Sequence, residues 1–163
     1  MTGKPHGQVP RLESRRGPGS YGSLQELAGE LGIADQVDLR PGQVEDMRAV
    51  YHALDVYVLP SRGSEGSSRA GLEACACGLP VLASAVGVLP DLLVGRKTGI
   101  LLPPGNEEAL GEVLRNLVLE WPKARALGEA ARKRMTEHFK ESDYVAQMME
   151  LIADAVQRAR ERQ

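Results

Sequence analysis

Short apolar runs alternate with amphipathic stretches along most of the chain. Four runs, at 36–40, 55–59, 81–84 and 99–102, are rich in valine, leucine or isoleucine, and we predict a β-strand at each. The runs at 55–59 and 81–84 are almost continuously apolar, which is typical of parallel strands that are buried on both faces. The sheet is therefore predicted to be parallel, with four strands.

The segments between and after these runs carry apolar residues at helical spacing. We predict seven helices, over 23–31, 44–54, 68–77, 90–94, 107–118, 122–138 and 142–160. Ser23 and Glu26 form a candidate capping box, Gly32 suits a helix end, and Asn106 suits a helix start. The last helix has a narrow apolar seam, which we expect to pack mainly on its own domain.

This alternation of strands and helices predicts an α/β fold, a three-layer Rossmann-like parallel sheet with helices on both faces. Residues 1–20 contain three prolines and four basic side chains, and we interpret them as a mobile N-terminal arm. Residues 21–163 are predicted to form one domain that ends in helices. Ligands of such sheets bind beyond the carboxyl ends of the strands, so the loops at 40–44, 60–68, 84–90 and 102–106 are the candidate site.

Composition excludes several classes of function. Twenty Lys and Arg face twenty-two Asp and Glu, and aromatic residues make up 4%, so neither a basic footprint nor a stacking platform for nucleic acid is present. No apolar run reaches the length that a transmembrane helix needs, and the first residues lack the apolar stretch of a signal peptide. With only two cysteines, a cytoplasmic location is expected.

The loop at 60–68 has the chemistry to hold an anion. It is rich in glycine and serine and leads directly into a predicted helix, whose first backbone N–H groups are free to bind a phosphate. The Gly-Lys-Ser/Thr ending of a P-loop is missing. An ordinary helix cap remains the alternative interpretation.

Two glutamates flank the start of that helix. Glu65 lies in the loop, and Glu73 lies one or two turns into the helix. Carboxylates in such a crevice suit vicinal hydroxyl groups, because each accepts hydrogen bonds in a fixed geometry. Glu73 could instead be a solvated helix residue, although its neighbours, Leu72 and Ala74 to Cys77, are small or apolar. Cys75 and Cys77 are interpreted as core residues, and no metal site is predicted.

The segment Ser64-Glu-Gly-Ser-Ser-Arg-Ala-Gly-Leu-Glu-Ala-Cys-Ala-Cys-Gly-Leu-Pro-Val-Leu-Ala-Ser84 resembles a family signature. It is similar to the donor site of retaining, nucleotide-sugar-dependent glycosyltransferases of the GT-B type (glycosyl transferases group 1), which have two Rossmann domains. Flanking pieces at 37–42, 55–61 and 98–105 are also similar to that family. The combination covers about residues 17–160.

The resemblance implies a role for each matching residue. Glu65 would face the donor sugar as the catalytic carboxylate, and Glu73 would hold the ribose hydroxyls. Arg40 and Gly42 would flank the base. The turn whose backbone amides approach the sugar and the diphosphate corresponds to Gly66, Ser67, Ser68 and Arg69. The substrate would be a nucleotide-diphosphate sugar, with no cofactor and no metal.

The chain also departs from the family pattern. The strand–helix–strand unit that opens the family's donor domain, with its diphosphate-binding Arg and Lys, has no match here, and neither does the N-terminal acceptor domain. The resemblance therefore implies an N-terminally truncated donor-binding half whose sheet is incomplete at its N-terminal edge. In the family the last helix crosses back to the partner domain, so part of its apolar seam is expected to be exposed here. We expect this chain alone to be inactive and to self-associate through an exposed edge.

Three alternatives remain at this point. The first is a non-catalytic nucleotide-sugar binding module, and the second is a domain like that of sugar-nucleotide epimerases. The third is a dinucleotide site, because residues 17–22 spell G-x-G-x-x-G and Asp38 follows. That third interpretation needs a buried strand before Gly17, and the residues at 13–16 are charged or polar.

Overall fold

The structure is a computed structural model that describes residues 20–40, 42–63 and 65–161. The chain divides into two compact units, the first ending at Ala53 and the second starting at Leu54. Apart from Ser20, the predicted arm at 1–20 lies outside the described residues, so the arm stays a prediction. Each unit is described here by itself.

The described residues of the first unit form two helices and a short turn. Helix α1 spans Ser20–Glu30, a 3-10 turn spans Ala34–Gln36, and helix α2 spans Met47–Ala53. Helix α1 begins three residues earlier than predicted, which places Ser23 inside the helix, so the predicted capping box is wrong. Its end is as predicted. Gly32 adopts φ +68°, and across it the Ile33 N–H donates to the Ala28 carbonyl at 2.9 Å.

The predicted strand at 36–40 is wrong. Val37 is extended, with φ −110° and ψ 116°, but the segment does not belong to the sheet. An extended segment becomes a strand only when a neighbouring strand takes up its backbone hydrogen bonds. Here the preceding residues form the 3-10 turn, and the side chains of Asp38 and Arg40, two residues apart, pair with each other at 2.7 Å.

The second unit contains a parallel sheet of three strands. Strands β1 (Tyr57–Leu59), β2 (Val81–Ser84) and β3 (Ile100–Leu102) lie in the order β1-β2-β3, with Val58 opposite Leu82 and Leu82 opposite Ile100. All four residues of β2 are buried, while β1 and β3 are half-buried at the edges. The predicted α/β class with a parallel sheet is confirmed, with three strands instead of four.

Five helices complete the second unit: α3 (Arg69–Ala76), α4 (Leu89–Leu92), α5 (Glu107–Leu119), α6 (Trp121–His138) and α7 (Glu141–Arg160). The core centres on Leu82, Leu89 and Leu93. Asn106 caps α5, as predicted, by accepting from the Ala109 N–H at 2.9 Å. Among the described helices, none is both long and apolar enough to cross a membrane.

Two glycines allow α3 and α6 to pack closely. Gly78 follows α3 with φ +79°, and Gly128 lies within α6. A Cβ atom on Gly128 would stand 2.1 Å from the Gly78 carbonyl oxygen. The contact therefore requires a residue without a side chain at position 128, and it fixes the end of α3.

Helix α7 does not pack as the sequence predicts. None of its residues is buried, and Tyr144 and Leu151 extend its apolar stripe beyond the narrow seam expected. The seam does not pack on its own domain as its periodicity suggested, and its exposure agrees with the expectation drawn from the family resemblance. Residues at helical spacing predict an apolar face, but they do not specify which surface that face meets.

Candidate functional site

Glu65 is fixed by hydrogen bonds to its side chain and to its main chain. It lies in the loop that leaves the carboxyl end of β1. The Ser61 hydroxyl donates to its carboxylate at 2.5 Å, and the Val88 N–H donates to its backbone carbonyl at 3.0 Å. The loop after β1 is thus joined to the loop after β2, and Glu65 is held at that junction.

Gly87 permits this close approach of the two loops. It has φ +55°, and a Cβ atom there would stand 2.2 Å from the Glu65 carbonyl oxygen and 2.7 Å from its backbone nitrogen. A larger residue would therefore have to push the Glu65 main chain away. Sequence reasoning missed Ser61 and Gly87, although both lie in loops that follow predicted strands.

Glu73 lies on α3, eight residues after Glu65. Its carboxylate is 3.7 Å from the Arg69 guanidinium, one turn earlier on the same helix. The Glu73 side chain is 42% exposed, so it is neither a core residue nor fully solvated. Arg69 thus supplies the partner that a carboxylate beside small apolar residues is expected to need.

Tyr57 is influenced by the charges of both glutamates. The pKa of its phenol is raised above the ordinary value, first by burial and then by the negative charges of Glu65 and Glu73. The negative charges of both carboxylates are thus felt at the Tyr57 hydroxyl. The sequence indicated Tyr57 only as an apolar strand residue, although a tyrosine in a buried strand usually directs its hydroxyl toward a polar neighbour.

The start of α3 leaves backbone donors available. Ser68, its N-cap, is left-handed with φ 42° and ψ 48°, and its side chain does not cap the helix. The Leu72 N–H makes the first helical bond, to the Ser68 carbonyl, so the N–H groups of residues 69–71 precede it. Gly66 and Ser67 are exposed beside them. Such an N-terminus favours an anion.

The Ser68 side chain differs from the rest of this turn. Its hydroxyl is buried and has no hydrogen-bond partner among the described residues. Gly71, one turn later, leaves it room, because a Cβ atom there would stand 2.8 Å from the hydroxyl oxygen. The Ser68 hydroxyl is therefore enclosed in this turn, while its carbonyl accepts the first hydrogen bond of α3.

Arg40 and Gly42, the residues expected to flank a base, belong to the first unit. The hydrogen bond to Asp38 raises the pKa of the Arg40 guanidinium, which stays charged. Gly42 is exposed with φ +118°, and nothing lies near the position of a Cβ atom.

Two concave regions among the described residues of the second unit bear on the site. One, of about 260 Å³, lies at the carboxyl ends of the strands and is lined by residues that include Pro60, Arg62, Ser84 and Asn106. The other is a groove of about 630 Å³ bordered by Glu73 and by the junction of α6 and α7. Glu65 lines neither. The carboxylate contacts, not the cavities, therefore define the candidate site.

Metal and thiol chemistry have little basis in this part of the molecule. Within the described residues, no three His, Cys, Asp or Glu side chains are grouped to hold a metal ion. Cys75 is buried, and burial raises the pKa of its thiol to about 11, so it is protonated at neutral pH. This burial agrees with the interpretation of Cys75 as a core residue.

Comparison with known proteins now decides the family. Residues 17–134 match the family described as "Glycosyl transferases group 1". The chain belongs to this family. A D-inositol 3-phosphate glycosyltransferase of Mycobacteroides abscessus is 44% identical over 97 residues, which are 56% of this chain and 22% of the relative. A GDP-mannose-dependent alpha-(1-6)-phosphatidylinositol monomannoside mannosyltransferase of Mycobacterium tuberculosis is 30% identical over 80% of this chain and 36% of the relative.

Solved structures give the same fold. Sucrose-phosphate synthase of Thermosynechococcus elongatus aligns with a TM-score of 0.75 and 32% identity, over 83% of this chain and 34% of the synthase. Alr3699/HepE of Anabaena, solved in complex with UDP-glucose, aligns with a TM-score of 0.76 and 22% identity, over 82% of this chain and 36% of the other. The predicted Rossmann-like fold of GT-B glycosyltransferases is confirmed. The chain spans 22% to 36% of the length of these proteins.

Proposed function

We propose that this chain is the donor-binding half of a retaining glycosyltransferase, which moves a sugar from a nucleotide-diphosphate sugar to an acceptor. One observation carries the proposal: the Glu65 carboxylate is fixed in the loop after β1 by Ser61 and by the main-chain bond to Val88, directly before α3, which carries Glu73. Two carboxylates at the mouth of a parallel sheet, beside a helix N-terminus, suit a ligand with both hydroxyl groups and phosphates.

Each group has a distinct task in this proposal. The Glu73 carboxylate accepts hydrogen bonds from the ribose hydroxyls, and Glu65 faces the sugar at the carbon where transfer takes place. The backbone N–H groups at 66–69 approach the diphosphate, and the Arg69 guanidinium adds a positive charge there. This charge matters because the bond from the sugar to the diphosphate breaks with the electron pair going to the diphosphate, which leaves as an anion.

Glu65 is suited to this task because its position is determined by neighbouring loops. Its backbone carbonyl accepts a hydrogen bond from the Val88 N–H, and its carboxylate accepts one from the Ser61 hydroxyl. At Gly87 the two loops lie so close that a Cβ atom would overlap the Glu65 main chain. Placement of a reacting sugar depends on such rigidity, since misplacement by about 1 Å costs roughly 100-fold in rate.

Further parts of the proposal concern partners and location. We propose that the acceptor binds to a separate N-terminal domain, since the matched segments make up only 22% and 36% of these relatives. We also propose that Arg40 and Gly42 flank the base, that no metal or cofactor takes part, and that the protein works in the cytoplasm. Self-association through an exposed edge stays a prediction.

The runner-up is a nucleotide-sugar binding module without catalysis. It needs only the donor site, so the same residues would bind the same ligand. The two proposals share the binding step and differ only in transfer by the complete protein.

The proposal is tested by calorimetry of the chain with UDP-, GDP- and ADP-sugars and with the matching free nucleotides. We expect saturable binding of one nucleotide class, lost when Glu65 and Glu73 are both replaced by alanine. Glu112→Ala, on the exposed side of α5, is the matched control and should bind normally. Failure of every nucleotide sugar to bind would contradict the proposal.

A further inference from the structure

Helix α4 is hydrogen-bonded to Glu65 at one end and to α6 at the other. It is a single turn of four residues, and the N–H of its N-cap residue, Val88, donates to the Glu65 carbonyl at 3.0 Å. At the far end the Arg134 guanidinium, which belongs to α6, donates to the carbonyls of Asp91 at 3.0 Å and Leu92 at 3.2 Å.

The hydrogen bonds form a continuous line from Arg134 to Glu65. The N–H groups of Asp91 and Leu92 both donate to the Val88 carbonyl, at 3.1 and 3.0 Å, while the carbonyls of the same two residues accept from Arg134. The last carbonyls of a helix have no partner within it, and they favour a positive charge. Arginine suits them because its donors lie in one rigid plane.

Burial alone does not determine the direction of α4. Leu89 and Leu92 are 0% and 3% exposed, so apolar contacts hold the turn against the core. Such contacts are non-directional, whereas a hydrogen bond weakens steeply as the angle at its donor falls. The two bonds from Arg134 therefore fix the orientation of α4, and with it the direction of the Val88 N–H.

Helix α6 provides a frame for this arrangement. The Arg134 guanidinium lies 5.7 Å from the centre of the Phe139 ring, which is within the range of a cation–π contact. The same helix packs through Gly128 against the Gly78 carbonyl, at the end of α3. Helix α6 thus contacts α3 through a glycine and α4 through an arginine, and the two contacts use different residues.

We propose that Arg134 is a positioning residue for Glu65. The role rests on the proposed function, in which Glu65 faces the donor sugar and Glu73, on α3, holds the ribose. Arg134 orients α4, and the Val88 N–H in turn holds the Glu65 main chain. Because α3 packs on α6 through a separate contact, loss of Arg134 should disturb the sugar and spare the nucleotide.

The first test removes the donors of Arg134 and keeps an unbranched side chain. In Arg134→Met, calorimetry should show an affinity for the nucleotide sugar that is about tenfold lower, as for the loss of one hydrogen bond from a charged group. The affinity for the free nucleotide should be unchanged. The matched control is Arg125→Met, because Arg125 is exposed on the same helix and pairs with Glu129 at 3.3 Å. An equal loss for both ligands, or no loss for the nucleotide sugar, would overturn the proposal.

The second test determines whether Arg134 acts through Glu65. In a Glu65→Ala background, Arg134→Met should cause no further loss of affinity for the nucleotide sugar, because the group that Arg134 positions is gone. A second tenfold loss in that background would mean that Arg134 acts by another route, and the proposal would be wrong.

A third measurement needs no ligand. The Glu65 carbonyl protects the Val88 N–H from exchange with water, and hydrogen exchange followed by NMR measures this protection. Arg134→Met should raise the exchange rate at Val88 about tenfold relative to the amides of β2, which report opening of the whole fold. An unchanged rate would overturn the proposal whether or not a ligand binds. Failure of the parent chain to bind any nucleotide sugar would contradict the proposed function, while the Val88 rate still decides whether Arg134 holds the loop.

Discussion

At the scale of single residues, the account depends on Glu65 and Glu73 acting on different parts of one ligand. The charges of both raise the pKa of Tyr57, but the two residues lie on different elements. Glu65 lies in the loop that Gly87 contacts closely, and Glu73 lies on α3. Their separation along the chain allows the nucleotide and the sugar to be tested independently.

Glu73→Ala should weaken binding of the free nucleotide and of the nucleotide sugar alike. The expected loss is about 1.5–3 kcal/mol, the range for a hydrogen bond to a charged group. Calorimetry with both ligands measures it. Stability should change little, because an exposed i,i+4 pair such as Arg69–Glu73 contributes at most about 0.5 kcal/mol. Equal affinities of variant and parent would rule out a ribose contact.

Glu65→Ala should spare the free nucleotide and weaken binding of the nucleotide sugar. The reason is that its proposed partner is the sugar alone. The comparison uses the same calorimetric titrations, and the free nucleotide serves as the internal control. If both ligands lose affinity by the same factor, Glu65 does not act on the sugar.

Gly87→Ala should reduce affinity for the nucleotide sugar by displacing the Glu65 main chain. The matched control is Gly105→Ala, which has a similar positive φ of +74° but open space around its Cβ position. Both changes cost about 1–2 kcal/mol of stability for the left-handed backbone, measured by urea unfolding. Only Gly87→Ala should affect binding. If Gly105→Ala binds as poorly, the close contact between Gly87 and the Glu65 main chain does not determine affinity.

At the scale of elements, the contact between α3 and α6 has a clear test. Gly128→Ala should destabilise the fold by about 1–3 kcal/mol, because its Cβ atom would overlap the Gly78 carbonyl. Gly111→Ala, in the open on α5, should instead stabilise by up to about 1 kcal/mol, since alanine favours helix. Urea unfolding of the two variants gives both signs, and a neutral Gly128→Ala would refute the close packing.

The sequence was sufficient for the elements whose pattern is local. Strands β1 to β3 and helices α3 to α7 appear within a few residues of prediction, because periodicity, Asn106 and the prolines after strands act over short distances. It failed at 36–40, where the extended segment has no place in the sheet. For α7 the periodicity predicted the apolar face but not the surface that this face meets. Both points concern partners distant in the sequence.

The site divides in the same way. The sequence alone predicted the pair of glutamates at 65 and 73 and the turn of small residues between them. Ser61 and Gly87 were not, because their role arises only when the loops after β1 and β2 meet. Tyr57 was likewise hidden, since its hydroxyl acquires polar neighbours through tertiary structure alone.

At the scale of the whole molecule, this chain alone should bind its ligand but not transfer sugar. It spans 22% to 36% of the length of its relatives, and positioning of a second reactant can supply about 7–11 kcal/mol of barrier reduction. A transfer assay with simple acceptors and a panel of donors measures this. Steady turnover by the purified chain would contradict the proposal that the acceptor binds to a separate domain.

The most direct measurement for the account as a whole is a crystal structure of the chain with its nucleotide sugar bound. We predict ribose hydroxyls within about 2.5–3.2 Å of the Glu73 carboxylate, the range for a hydrogen bond, with the sugar beside Glu65. A nucleotide lodged instead in the 260 Å³ cavity that Arg62 and Asn106 line, away from both glutamates, would contradict the account.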